Sequence, residues 1–185
     1  MSGRTTTIEA TAVPATEVPV VIVPTATAVP EMAVSSSGAD LMLQPGPEGV
    51  EWRIGEETNR PAKEAETIRF VANNVLTLAN GRSPAADRPN ITNVILPAQV
   101  QLFLDGDTEV RLTAVQGVNV SEETHVELEN GLLLVQMPEG DAVRIVVANP
   151  FGDEAWLESA GLMVVQYQED PFLFLVACLE VEQNC

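Results

Sequence analysis

The sequence predicts an all-β fold, either two packed antiparallel sheets or a rolled, barrel-like sandwich, behind a disordered Thr/Pro-rich N-terminal stalk. Three observations predict it. Hydrophobic residues make up 45% of the 185-residue chain but aromatics only 4%, so the core must come from Val, Leu, Ile and Ala, a palette that suits a pleated sheet. Turn residues recur at short intervals, and between them apolar and polar residues alternate with a period of two.

From Thr5 to about Ser37 the chain is dominated by Thr, Ala, Val, Pro and Ser, and Pro14, Pro19, Pro24 and Pro30 recur every five or six residues. Each proline removes a backbone donor and fixes φ, which disfavours helix and ladder and favours extended, polyproline-like chain. Residues 1–38 therefore read as a linker or stalk, of the kind that lifts a domain off a cell surface. Residues 39–185 read as a single β-rich domain with room for one core. Within the stalk, Val18-Pro19-Val20-Val21-Ile22-Val23 is apolar enough to join a sheet as an edge strand.

Residues 61–81 admit two readings. Ile68, Val71, Ala72, Val75 and Ala79 share a helical face, with Asn59 as a cap and Gly81 as a terminator. Equally, Asn73-Asn74 can turn a hairpin that joins 68–72 to 75–78. Further along, Asp105-Gly106-Asp107, Gln116-Gly117, Asn130-Gly131, Pro138 to Asp141, Asn149 to Gly152, Ser159 to Gly161 and Gln168 to Asp170 punctuate the chain. Their spacing, about 8–12 residues, is that of a meander of short strands.

Val126 and Leu128 alternate with His125, Glu127 and Glu129, and Val143, Ile145 and Val147 with Arg144 and Val146, which predicts one wet face for each strand. By contrast, Leu132 to Val135, Leu162 to Val165 and Phe172 to Ala177 are apolar at every position. Such runs are expected of strands covered on both sides.

The formal net charge is −18, from 27 acidic and 9 basic residues, of which Lys63 is the single lysine. Without the Lys and Arg needed to displace counterions from phosphates, such a surface argues against nucleic acid and anionic membrane as partners. No apolar run of about 18 residues exists to span a bilayer, and Met1-Ser2-Gly3-Arg4 lacks the layout of a secretory signal. A membrane contact is therefore expected only through an anchor upstream of this chain.

Cys178 and Cys185 flank a short loop and suit a structural disulfide, which persists in an oxidising compartment. Their spacing is not C-x-x-C, and with no nearby His the pair is weak as a metal site. The single histidine, His125, falls on a solvent face. Asp105, Asp107 and Glu109 alternate like the opening of a calcium loop, but Thr113 to Gln116 supply no closing acid and a hairpin turn explains Asp105-Gly106, so no metal or other cofactor is expected. Asn90-Ile91-Thr92 and Asn119-Val120-Ser121 match the N-glycan sequon and suggest loops. Phe151 and Trp156 lie beside a turn, where aromatics can anchor a partner.

The order Asp105-Gly106-Asp107-Thr108-Glu109-Val110-Arg111-Leu112, then Val126 to Val135 with Asn130-Gly131 inside it, then Val143 to Ala148 followed by Asn149-Pro150-Phe151-Gly152, resembles the FecR-type domain. In that family a DGS-x-V-x-L strand is followed by a V-x-L-x-x-G strand pair and a V-x-T-P-x-G-like loop. The likeness spans roughly residues 94–178, with Ser159 to Val165 departing from the family's usual last turn. It implies an extracytoplasmic β-domain that acts through protein–protein contact in envelope signalling. The helical anti-sigma portion and transmembrane helix of classical members are not seen in this chain.

Two other classes compete. A structural reading makes the domain a self-associating piece of a surface layer or filament, with Val18 to Val23 donated to a neighbour. A small hydrolase or isomerase would need a concave pocket that holds a carboxylate pair.

Overall fold

A computed structural model of the chain describes residues 38–83, 88–118, 121–140 and 143–179. The chain divides into two units, Met1–Ala33 and Val34–Cys185, and every element below lies in the second. The expected stalk as far as residue 37, with its Val18–Val23 segment, and Cys185 lie outside the described residues.

The strands are β1 (Ala39–Gln44), β2 (Val50–Ile54), β3 (Arg60–Ala62), β4 (Glu66–Phe70), β5 (Leu76–Asn80), β6 (Thr92–Ile95), β7 (Gln101–Leu104), β8 (Thr108–Ala114), β9 (Thr124–Met137), β10 (Ile145–Ala148), β11 (Glu154–Leu157), β12 (Gly161–Gln168) and β13 (Leu173–Leu179), with a 3-10 turn at Pro97–Gln99. They form two sheets that share one strand. Sheet A has the order β4-β1-β6-β7-β9-β12-β13, and sheet B the order β3-β2-β5-β8-β9-β10-β11. The predicted all-β sandwich is thus the fold.

β9 explains how the sheets connect. Its first half pairs with β8 and β10 in sheet B, and its second half with β7 and β12 in sheet A. The changeover falls at Asn130-Gly131, which the sequence suggested as a turn between two strands. Instead, one 14-residue strand runs through it. Gly131 has φ +99, and a Cβ there would meet Thr108 Oγ1 at 2.5 Å and Thr108 Cα at 2.6 Å, so glycine lets the strand bend from one sheet into the other. Thr108 Oγ1 donates to the Leu132 carbonyl and accepts from the Leu132 amide, both at 3.0 Å, in place of a ladder pair at the corner.

Because β9 ends in sheet A, the chain must return to sheet B to make β10. It arrives parallel to the first half of β9, with Ile145 opposite Thr124. All other pairings are antiparallel.

Residues 61–81 are neither of the two expected forms. Ile68 and Leu78 do stand on strands, but β4 pairs with β1 in sheet A while β5 lies between β2 and β8 in sheet B. The Asn73-Asn74 turn, with Asn73 at φ +64, therefore arches between sheets. Burying Ile68 and Phe70 against one sheet and Leu76 and Leu78 against the other leaves no apolar face for a helix.

The inner faces supply one core, in which Leu41, Leu43, Ile68, Phe70, Leu102, Leu133, Val135, Met163 and Val165 of sheet A join Leu76, Leu78, Leu112, Val126, Leu128, Ile145, Val147 and Leu157 of sheet B. One margin is pinned by a buried polar knot. The Asn80 amide donates to the carbonyls of Leu104 and Asp105 at 2.9 and 3.0 Å, and its Oδ1 accepts from Asn90 Nδ2 and Thr92 Oγ1, each at 2.9 Å. Asn90 reaches on to the Gly49 and Gly81 carbonyls and to the Glu48 amide. The suggested sequon residue Asn90 does sit in a loop, but it is 1% exposed and engaged in this knot. Asn119 is outside the described residues.

Candidate docking surface

The outward faces of the two sheets differ in chemistry. On sheet B, Glu51 and Glu109 flank Ala79, and Arg53, Arg111 and Glu127 follow in the next row. Arg111 Nη1 lies 2.8 Å from Glu127 Oε2 and 3.4 Å from Glu129 Oε1. Glu123 takes His125 Nε2 at 2.6 Å and Arg144 Nε at 3.4 Å, and Arg144 also reaches Glu158 at 3.3 Å. The same guanidinium stands over the Trp156 ring at 5.8 Å. Exposed ion pairs of this kind add little stability, but they keep a face hydrated. Val146, expected on the wet side, is buried between Trp156 and His125, its neighbours across the ladder.

On sheet A, from β6 to β13, the outward positions form rows across the register: Asn93, Phe103, Leu134, Val164, Ala177; then Ile95, Gln101, Gln136, Leu162, Leu179; then Leu132, Gln166, Leu175. Not one carries a formal charge. They are apolar groups interspersed with amides, in a chain whose net charge is −18. At the far margin, charge returns as the Asp40–Arg69 pair, 2.8 Å apart. Asn93 Nδ2 donates to Gln101 Oε1 at 3.0 Å, while Asn93 Oδ1 is buried and has no hydrogen-bond donor among the described residues.

The apolar runs expected to be covered on both sides make up much of this face. Leu133, Val135, Met163 and Val165 are buried, as the core demands, yet Leu132, Leu134, Leu162 and Val164 remain partly open. β13 departs furthest: Leu175 is 50% and Leu179 51% exposed. The physical reason is position. Among the described residues β13 has a neighbour on one side only, β12, and no layer lies over the outward face.

One end of this face holds a shallow depression of about 1100 Å³ lined by Ile91, Phe103, Leu134, Met137 and Leu162 among others, with Glu139 as the titratable side chain among its described residues. The opposite end carries an aromatic corner. Phe151, in the β10–β11 turn, meets Phe172, in the β12–β13 turn, edge to face at 5.6 Å, and Phe172 meets Tyr167 at 6.2 Å. Phe151 and Phe172 are 66% and 57% exposed. Burial first, then the Glu169 and Glu129 carboxylates, push the Tyr167 phenol above its ordinary pKa.

Phe151 and Trp156, paired by sequence proximity, have different neighbours: Phe151 sits with Phe172, and Trp156 with Arg144 on the charged face. Phe172, expected at the head of an apolar strand and not as a partner contact, instead stands exposed in the turn before β13. Asp105 Oδ1 accepts from the Gly106 amide, Asp107 lies 3.7 Å from Arg82, and Glu109 is on the outward face of sheet B. No group of three or more His, Cys, Asp or Glu side chains converges on a metal position among the described residues. Cys178 stands on β13, and its expected partner Cys185 lies outside the described residues.

Among the described residues no helix is long and apolar enough to cross a membrane. Comparison with protein-family models, with curated proteins and with solved structures finds no match.

Proposed function

We propose that this chain is a non-catalytic, extracytoplasmic protein-binding module, FecR-like in role, that docks partners on the outward face and free edge of sheet A. The observation that carries the reading is the division between faces. An uncharged expanse of leucine, valine, phenylalanine and glutamine on a strongly anionic protein is the kind of surface that marks an interaction site, and an exposed strand edge adds main-chain hydrogen bonds to whatever docks there. The charged face of sheet B serves to keep the module soluble.

The resemblance over residues 94–178 supports placement in the cell envelope, and so does the proline-spaced composition before residue 38, which suits a tether. A Cys178–Cys185 disulfide belongs to the same reading. The depression on sheet A, lined largely by apolar side chains with Glu139 as the acid among its described residues, supports a binding role. A structural role in a surface layer draws on the same uncharged edge.

The test uses extended, uncharged peptides of β-branched and leucine residues, presented to the full chain. Binding should map to β13 and the outward face of sheet A by hydrogen exchange, and should fall at least about tenfold in Leu134→Lys and Leu175→Lys. Peptides that select the charged face, or no binding at millimolar concentration, would overturn the reading.

A further inference from the structure

Self-recognition is the most specific property the uncharged edge supports. We propose that two copies of this chain pair through β13, antiparallel and related by a twofold axis, so that their A sheets join into one continuous sheet. The inference rests on the docking surface above and names its occupant.

The argument begins with the other sheet edges, each of which carries a feature that discourages strand addition. β3 is only three residues, Arg60-Pro61-Ala62, and its proline has no N–H to offer a neighbour. β4 presents Glu66 and Arg69. β11 is four residues and opens with Glu154. Short length, proline and charge are the means by which proteins protect exposed edges. β13 uses none of them. It is seven residues long, Leu-Phe-Leu-Val-Ala-Cys-Leu, without a proline, a glycine or a charge, and Leu173, Leu175, Val176 and Leu179 are all exposed.

Charge then selects the occupant. With a net charge of −18 on each chain, two copies that approach through sheet B would bring Glu51, Glu109, Glu127 and Glu154 against their own images. Through β13 they bring uncharged side chains together, and the adjoining β12 adds Gln166 and Gln168, amides that can donate as well as accept and therefore suit a copy of themselves. A twofold interface requires self-complementarity of this kind. An antiparallel pair provides it in the backbone, because each strand offers the same alternation of N–H and C=O to the other.

Salt dependence follows from the same reasoning. The interface holds no ion pair, while the rest of each molecule repels the other, so association should tighten as salt screens the repulsion.

Sedimentation velocity of the full chain over rising concentration is the test, at about 0.05 M and about 0.5 M salt. The expected result is a reversible dimer, several-fold tighter at the higher salt, with β13 amides gaining protection from hydrogen exchange as concentration rises. Leu175→Lys and Ala177→Lys alter exposed positions, so they should leave the thermal transition nearly unmoved and weaken the dimer at least about tenfold. Glu109→Gln on the charged face should not weaken it. A monomer up to about millimolar concentration overturns the proposal, as does a dimer that ignores the β13 lysines. A dimer lost only in Val21→Asp/Ile22→Asp also overturns it and assigns the contact to the N-terminal segment. If the chain stays monomeric while strand peptides still bind at β13, self-pairing fails and the docking surface stands; if neither occurs, both fail.

Discussion

The indole Nε1 of Trp52 donates a 2.6 Å hydrogen bond to Glu66 Oε1, and this one contact ties β2 of sheet B to β4 of sheet A. It lies at the end of the sandwich far from β9, where no shared strand holds the sheets together, and Arg60 covers the same indole at 5.3 Å. Removing the acceptor would leave an inward-facing N–H without a partner, a loss of about 1–3 kcal/mol. Glu66→Leu should lower stability by that amount in urea unfolding followed by tryptophan fluorescence. An unchanged midpoint would mean that the bond adds nothing.

Gly131 is predicted to tolerate no side chain. Gly131→Ala places a methyl group against the Thr108 backbone in a left-handed conformation, and strain together with overpacking should cost about 2–5 kcal/mol. Gly117→Ala is the control: φ is +79 but nothing lies within 4 Å of the added atom, so only the conformational cost of about 1 kcal/mol remains. Equal losses at the two positions would refute the assigned role of the β9 corner.

The polar knot should behave as a unit. Asn80→Ala removes donors and an acceptor buried together, a loss of about 2–4 kcal/mol. Asn90→Ala should cost about as much alone, yet the double variant should lose clearly less than the sum, because each residue is the other's partner. Strict additivity in thermal unfolding would show that the two act separately.

Tyr167 is the only tyrosine in the chain, so tyrosinate absorbance reports one group. Burial and nearby carboxylates raise its pKa above the ordinary 10.0, which makes the neutral phenol the form favoured by folding. The folded state then holds the proton more tightly than the unfolded chain. Stability is complete below pH 10 and declines as pH rises through the folded value. Absorbance should therefore appear at higher pH in the native protein than in urea; the reverse order would contradict the burial of this ring.

The parts of the fold carried by local chemistry were legible in the sequence. The aliphatic composition, the alternation of Val126 and Leu128 with Glu127 and Glu129, and the turn residues around Asn149 and Gln168 all correspond to strands and turns that form. What could not be read were decisions made by distant partners. Whether β5 pairs with β4 or with β2 and β8 depends on residues far apart in sequence, and so does whether Asn130-Gly131 reverses the strand or bends it.

The surface was misjudged for a related reason. A run such as Leu132 to Val135 contains apolar residues for both faces, and nothing within the run tells whether a second layer lies above it. Composition alone could not distinguish a strand buried on both sides from one whose outward face lies open, and Phe172, read as the head of a covered strand, is exposed for the same reason.

The passage of β9 from one sheet to the other bears on cooperativity. Since β8 and β10 lean on its first half and β7 and β12 on its second, neither sheet can dissolve while the other keeps its middle strand intact. Heating should therefore melt both sheets in one transition, and a protease that opens the chain anywhere along Thr124–Met137 would release both at once.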